Sequence, residues 1–287
     1  SSLNLLQRIE PGADSSWEGL QGMPTTRHGL SAVAYGGDLY AFGGKGGGGT
    51  VRDTLEVYDP VGDTWSNQAA QMPRARYAFE TILNNEQIYL FGGEDGNGDP
   101  ISEVDVYDPD ADSWSQVAPM PTPRSFLGAG VMTLTESAVG NYHKGAVVAG
   151  GRIAGGNATT VVEEYVFQTD TWRERAPLIT ARHSTAAGVT SDPDAFRGGA
   201  RQLWLVGGQV SSGPTDSVAH YTHDLGAQRR LEPMPQGRFS HAAAALHDRI
   251  YLFGGLHEGN KKTGWAFDPE TESYNPLPDL PSVQNGL

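Results

Sequence analysis

The sequence predicts an all-β propeller, and three observations carry that prediction. A Gly-Gly pair returns five times, each time closing a short apolar run: Leu39–Gly44, Ile88–Gly93, Val147–Gly151, Leu203–Gly208 and Ile250–Gly255. The spacing is roughly fifty residues, a period that belongs to repeat architectures. Turn-forming residues are dense, with 38 Gly and 18 Pro in 287 residues, and no helical period persists beyond a turn or two.

Each repeat carries the same parts in the same order. A Met-Pro precedes an Arg at Met23/Arg27, Met72/Arg76, Met120/Arg124 and Met234/Arg238, while Leu178 replaces Met-Pro ahead of Arg182. The Arg opens a strand of small or apolar residues, such as Gly29–Tyr35, and the Gly-Gly strand follows. A polar loop then leads to a strand ending in Tyr-Asp-Pro (Tyr58–Pro60, Tyr107–Pro109), and a turn leads to Trp65, Trp114, Trp172 or Tyr274. Four short strands separated by turns make one blade.

The Arg, Gly-Gly, Tyr-Asp-Pro and Trp order resembles the kelch repeat, and the resemblance spans nearly the whole chain. The fourth repeat departs from it, with Tyr221–His223 for Tyr-Asp-Pro and Arg230 near the Trp position. Residues 3–24, with Trp17 and Met23, read as the last two strands of a further blade. Kelch rings of six are common, so the resemblance implies six blades of four antiparallel strands: five complete repeats plus an N-terminal half-blade, in a single domain over 1–287. The inner strands of that blade are expected from the C-terminus, yet Ser282–Leu287 is too short to form two. The native chain continuing past Leu287, an incomplete sixth blade, and a five-bladed ring with an extra hairpin are the three ways to resolve this. An open edge leaves strand groups unpaired.

Composition narrows the function. There is no Cys, hence no disulfide, thiol nucleophile or thiolate metal site, and compartment is not readable from thiols. A net charge of −14 argues against a nucleic-acid surface and an anionic membrane. No transmembrane run, leader or accessory domain is expected. The sequon at Asn157 is a pattern that arises often by chance.

In kelch-type substrate adaptors, pocket residues directly follow the repeat Arg and the Gly-Gly. Carried over by position, the first set is His28, Tyr77, Ser125, His183 and Phe239, and the second is Lys45, Glu94, Arg152, Gln209 and Leu256. Strand alternation puts Phe79, Leu127, Thr185 and His241 further down the channel wall. The ring gathers titratable groups of both signs, whereas structural positions repeat themselves. His28, His183, Tyr77 and Glu94 are the candidate proton-transfer group. Lys45, Arg152, Ser125, Gln209, Phe239 and His241 are the candidates for substrate binding. A solvated peptide-binding surface shows the same variability. The five repeat Arg are assigned to bonding loop carbonyls and the Trp residues to the outer core, while Arg74, off the repeat pattern, is a candidate for ligand contact.

No cofactor and no metal are expected. His28, His183, His241 and Glu94 could converge, but the Glu, Asp and His pattern of the iron-dependent kelch proteins of glucosinolate breakdown is not recognisable. The Tyr-Cys copper chemistry of galactose-oxidase-like propellers is excluded for want of Cys. The Glu94–Asp99 loop lacks the closing Glu of a calcium loop, and Lys45–Gly49 lacks the Lys-Ser/Thr and helix of a phosphate loop. Two functions remain. One is a non-redox acid/base enzyme (isomerase, cyclase or lyase) acting on a small polar or anionic metabolite in the channel. It is similar in domain economy to the stand-alone kelch sialic-acid mutarotases. The other is an interaction scaffold for a protein or extended peptide, the commoner role of kelch domains. Neither involves nucleic acid or membrane.

Overall fold

The computed structural model describes residues 6–10, 16–135, 142–191, 201–222 and 228–282. Five antiparallel four-stranded sheets follow one another around a central channel, each a meander running outward from its first strand. The first holds β3 (Ser31–Tyr35), β4 (Asp38–Phe42), β5 (Leu55–Asp59) and β6 (Thr64–Ser66). The second holds β7 (Glu80–Asn84), β8 (Gln87–Phe91), β9 (Val104–Asp108) and β10 (Ser113–Val117). The third has the longest hairpin, β11 (Gly128–Thr135) and β12 (Tyr142–Ala149), then β13 (Val162–Val166) and β14 (Thr171–Glu174). The fourth comprises β15 (Ala186–Ser191), β16 (Arg201–Val206), β19 (Val218–Tyr221) and β20 (Gln228–Arg230), with a small hairpin, β17 (Gln209–Val210) and β18 (Gly213–Pro214), in its loop. The fifth is β21 (Ala242–Leu246), β22 (Arg249–Phe253), β23 (Gly264–Asp268) and β24 (Ser273–Leu277).

Of the six blades expected, the five complete repeats form four-stranded sheets, and the N-terminal half-blade is, among the described residues, β1 (Leu6–Arg8) paired with β2 (Glu18–Leu20). Leu280 is the last Met-Pro-type anchor, and no strand follows it among the described residues. First strands of successive blades pack side by side from β3 through β7, β11 and β15 to β21, and the series stops there. The half-blade spans the break from outside. Trp17 donates to the Pro278 carbonyl at 3.2 Å and meets Phe253 edge-on at 5.2 Å, while Gln21 bonds Asp63 of the first blade at 2.7 Å.

The repeat residues hold blade to blade. Each first Gly of the pair has φ between +57° and +69°, each second between +92° and +107°. The second Gly N–H donates to the next blade's Arg carbonyl: Gly44 to Arg76, Gly93 to Arg124, Gly151 to Arg182 and Gly208 to Arg238, at 2.8–3.1 Å. The five Arg are buried and bond carbonyls, as expected. In blades one to three they also pair with a buried carboxylate: Arg27 with Glu56 at 2.7 Å, Arg76 with Asp105, and Arg124 with Glu163 at 2.5 Å. In blades four and five the partners are hydroxyls, Ser217 for Arg182 and Thr263 for Arg238. Arg74 is not free for a ligand, because Glu103 and Asp105 hold it at 2.7 and 3.0 Å. The Trp residues are outer staples: Trp65, Trp114 and Trp172 donate to Gln21, Ala70 and Ala118 carbonyls of the preceding unit at 2.8–2.9 Å. Tyr221 is buried, whereas His223 and the Arg230 side chain lie outside the described residues.

Candidate functional site

The ten positions drawn from the repeat frame come together at one mouth of the channel, in five backbone-bonded pairs. His28 exchanges N–H···O bonds with Lys45, Tyr77 with Glu94, Ser125 with Arg152, His183 with Gln209, and Phe239 with Leu256, all at 2.7–3.2 Å. Each blade thus presents one residue from the segment leading into its first strand and one from its Gly-Gly loop, side by side.

A backbone feature that residue type does not signal aims them. The residue after each mouth position adopts left-handed φ: Gly29 at 61°, Ala78 at 57°, Phe126 at 51°, Ser184 at 53° and Ser240 at 50°. For a non-glycine this conformation costs about 1–2 kcal/mol, so something must hold it. The holder is a collar of hydrogen bonds in which Ala78 donates to Gly29, Phe126 to Ala78, Ser184 to Phe126 and Ser240 to Ser184, at 2.7–2.9 Å. The kink also breaks the strand alternation and turns Phe126, Ser184 and Ser240 toward the channel beside the expected Phe79, Leu127, Thr185 and His241.

The side chains form a network centred on Glu94, which is 2% exposed. It accepts from Tyr77 Oη at 2.5 Å, Ser125 Oγ at 2.6 Å and Arg152 Nε at 3.1 Å, with Arg152 Nη2 also bonded. Burial pushes its acidity down, but the hydrogen bonds from Ser125, Tyr77 and Arg152 outweigh burial and hold the carboxyl below its ordinary pKa. Burial, then the bond to Glu94, pushes the Tyr77 phenol up to about 12. Lys45 lies over the Tyr77 ring at 4.7 Å and Arg152 over Phe126 at 4.6 Å. Phe126 meets both Tyr77 and His183 edge-on, so the aromatic at the centre of the mouth is one that position-by-position reading passed over.

Burial holds His28 and His183 below the ordinary histidine pKa, helped by Lys45 and Arg152 respectively, so both are neutral at pH 7. The Nδ1 of His183 lies 2.9 Å from Ser184 Oγ. Below the mouth a cavity of ≈ 410 Å³ is lined by residues of all five blades, including His28, Phe79, Phe126, Thr185 and His241. His241 is packed into the wall and is 4% exposed; burial, with Arg238 nearby, pushes it down to about 3. Among the described residues no group of three or more His, Asp or Glu converges in a way that could hold a metal ion.

Residues 13–138 match the family model of the KLHDC2/KLHL20/DRC7 kelch-repeats domain, and residues 237–281 match the kelch motif. The chain belongs to the kelch-repeat family. Kelch-like protein terF of Aspergillus terreus is 28% identical over 137 residues, 44% of this kelch chain and 29% of the relative. Kelch-like protein 38 of Homo sapiens is 28% identical over 128 residues, 43% of this chain and 20% of the relative. The leucine-zipper-like transcriptional regulator 1 homolog of Drosophila melanogaster is 28% identical over 127 residues, with 40% of this chain and 12% of that protein covered. The kelch chain therefore spans less than a third of the curated relatives it matches. The solved structure of YjhT superposes with a TM-score of 0.78 at 15% identity, over 96% of this chain and 92% of that one, a likeness of fold.

Proposed function

We propose that the channel mouth binds a small organic anion and moves protons on it, with His28 and His183 as the proton carriers. The observation that supports this most directly is the pair of neutral imidazoles on either side of an ordered Tyr77–Glu94–Arg152 network. A base must be unprotonated at working pH, and burial keeps both imidazoles so. Glu94 and Tyr77 suit proton transfer less well. One is held ionised and the other held protonated, so their part is to fix Arg152 and, through the Tyr77 face, Lys45.

Charge at the mouth favours an anion although the chain as a whole is acidic. Among the ten paired positions, Lys45 and Arg152 stand against Glu94 alone. Behind them, Arg182 and Arg238 are buried against hydroxyls rather than carboxylates, and burial lowers both to about 10, still charged at neutral pH. Ser125 and Gln209 supply hydrogen bonds, and Phe239 with Leu256 gives the fifth blade an apolar side for the body of the ligand. The reaction class this supports is an isomerase, cyclase or lyase step at a carbon next to a carboxylate or carbonyl.

The second reading is a protein- or peptide-binding mouth, and what favours it is that Phe126, Phe239 and Leu256 keep part of their surface accessible there. Saturation-transfer NMR with hydroxy acids and uronic acids, followed for isomer exchange, separates the two. For the enzyme, a bound acid turns over, Lys45→Ala weakens binding about tenfold, and the His28→Ala/His183→Ala double variant slows turnover by at least a hundredfold. Binding without turnover in the unaltered protein, or turnover that survives the double variant, removes the proton-carrier assignment.

A further inference from the structure

We infer that the channel cavity below the mouth is a separate binding site for a small organic ammonium with an apolar body, held by the carboxylate of Glu80. Glu80 opens β7 and lines the ≈ 410 Å³ cavity. Glu80 is half-buried, and among the described residues no hydrogen bond or ion pair is made by its carboxylate. That is unusual for this chain. The fully buried acids Glu56, Glu94, Asp105, Glu163 and Glu164 each have an Arg partner, whereas half-buried Glu80 has none. The equivalent positions in the other blades carry small residues, namely Ser31, Gly128, Ala186 and Ala242, so the frame does not require an acid at Glu80.

A carboxylate withdrawn from water with no cation beside it is costly and takes up a proton instead. Burial alone raises Glu80 to about 8. The remaining lining decides what can pair with it. Arg27, His28 and His241 are the other titratable groups of the cavity. Arg27 is engaged by Glu56 at 2.7 Å, and burial holds both imidazoles neutral. Nothing in the wall therefore competes for the Glu80 charge. Phe79 and Phe126, each with a guanidinium already over its ring, offer apolar surface for the body of the ligand together with Leu30, Leu127 and Ala187. On binding, the Glu80 proton leaves to solvent and an ion pair with the ammonium replaces it.

Calorimetry with benzylamine, benzyl alcohol and benzoate tests this on the intact chain. The expected result is that benzylamine binds while benzyl alcohol does not. Binding tightens roughly twentyfold from pH 6.5 to 8.5, as a carboxyl near pH 8 deprotonates. In buffers of different ionisation enthalpy, close to one proton is released per amine bound at pH 7. Glu80→Gln, which keeps the shape of the side chain, loses amine binding at least tenfold, while Lys45→Ala does not. Benzylamine that fails to bind, binds without releasing a proton, or binds Glu80→Gln equally well overturns the assignment. Benzoate affinity reports on the mouth alone, so failure of the anion site and failure of the ammonium site are read separately.

Discussion

At the scale of single residues, the channel wall contains two groups with opposite pH behaviour. His241 occupies the position filled by Phe79 and Leu127 in blades two and three, and neither ring nitrogen makes a hydrogen bond. Its folded pKa lies below its unfolded one, so the unfolded chain binds more protons as pH falls from about 6.5 toward 3. Stability from this site is complete above pH 6.5 and is lost through that window, by on the order of 2–3 kcal/mol at pH 4.5. His241→Leu, matching Leu127, is expected to abolish the acid-side loss and to raise the chemical-denaturation midpoint at pH 7 by about 1 kcal/mol of stability. A variant that tracks the parent at both pH values would show that the imidazole is better accommodated than its burial indicates. Glu80 runs the other way: the folded state holds the extra proton between about pH 4.5 and 8, so its contribution declines as pH rises through that range. Residue identity alone marked His241 as a ligand contact. What it could not reveal is that the residue three after the Arg is packed under the preceding blade's Gly-Gly, where Gly207 would place a Cβ only 3.0 Å from its ring.

At the scale of the element, what repeats in sequence is what holds backbone to backbone, and that explains what could be read in advance. Arg, Gly-Gly, Tyr-Asp and Trp were legible because each makes the same bond in successive blades, and no substitute makes it equally well. The Tyr bonds an Asp five residues on (Tyr58 to Asp63, Tyr107 to Asp112, Tyr165 to Asp170), and that Asp accepts a backbone N–H of the preceding unit. The left-handed residues were not legible, because Gly29, Ala78, Phe126 and the two serines, Ser184 and Ser240, have no side-chain property common to all five. Their conformation is imposed by neighbours in space. The β17–β18 hairpin escaped notice for a similar reason, since a two-residue strand has no periodicity to display. Glycine tolerance follows from the same distinction. At Gly92, with φ +69°, an added Cβ would sit 2.3 Å from the Arg124 carbonyl, whereas at Gly48 nothing lies within 4 Å. Gly92→Ala is expected to lower stability by about 3 kcal/mol, and Gly48→Ala to change it by less than about 0.5, in urea unfolding. Comparable losses at the two sites would mean that the second and third blades shift apart freely, against the bond from Gly93 to Arg124.

At the scale of the whole molecule, the propeller, its all-β content, its five complete repeats and the N-terminal half-blade were legible, while the way the ring closes was not. Blade number is a property of closure, and closure depends on where strands meet in space. Both inner systems of hydrogen bonds end at the same place. Among the described residues the Gly255 N–H meets no Arg carbonyl, and the Ser240 carbonyl and Gly29 N–H have no partner. The facing strands there keep apolar surface accessible at Ala32, Ala34, Ala244, Ala245 and Leu246, the last at 43%. Hydrogen exchange is expected to be fastest, among first strands, at β3 and β21, and slowest at β11, which is flanked on both sides. Trp17→Ala should accelerate exchange in β3 and β21 and leave β11 unchanged. Uniform protection across all five first strands would mean that the break is filled in solution.

Among the described residues the five blades make an arc like a split washer, whose two ends are joined through the half-blade: Trp17 against Phe253 and Pro278, and Gln21 against Asp63. A joint of that kind loads its neighbours unevenly. His28 and Lys45 on the first blade and Phe239 and Leu256 on the fifth sit beside it, whereas the pairs on the second to fourth blades, with Glu94 at their centre, lie on blades flanked on both sides.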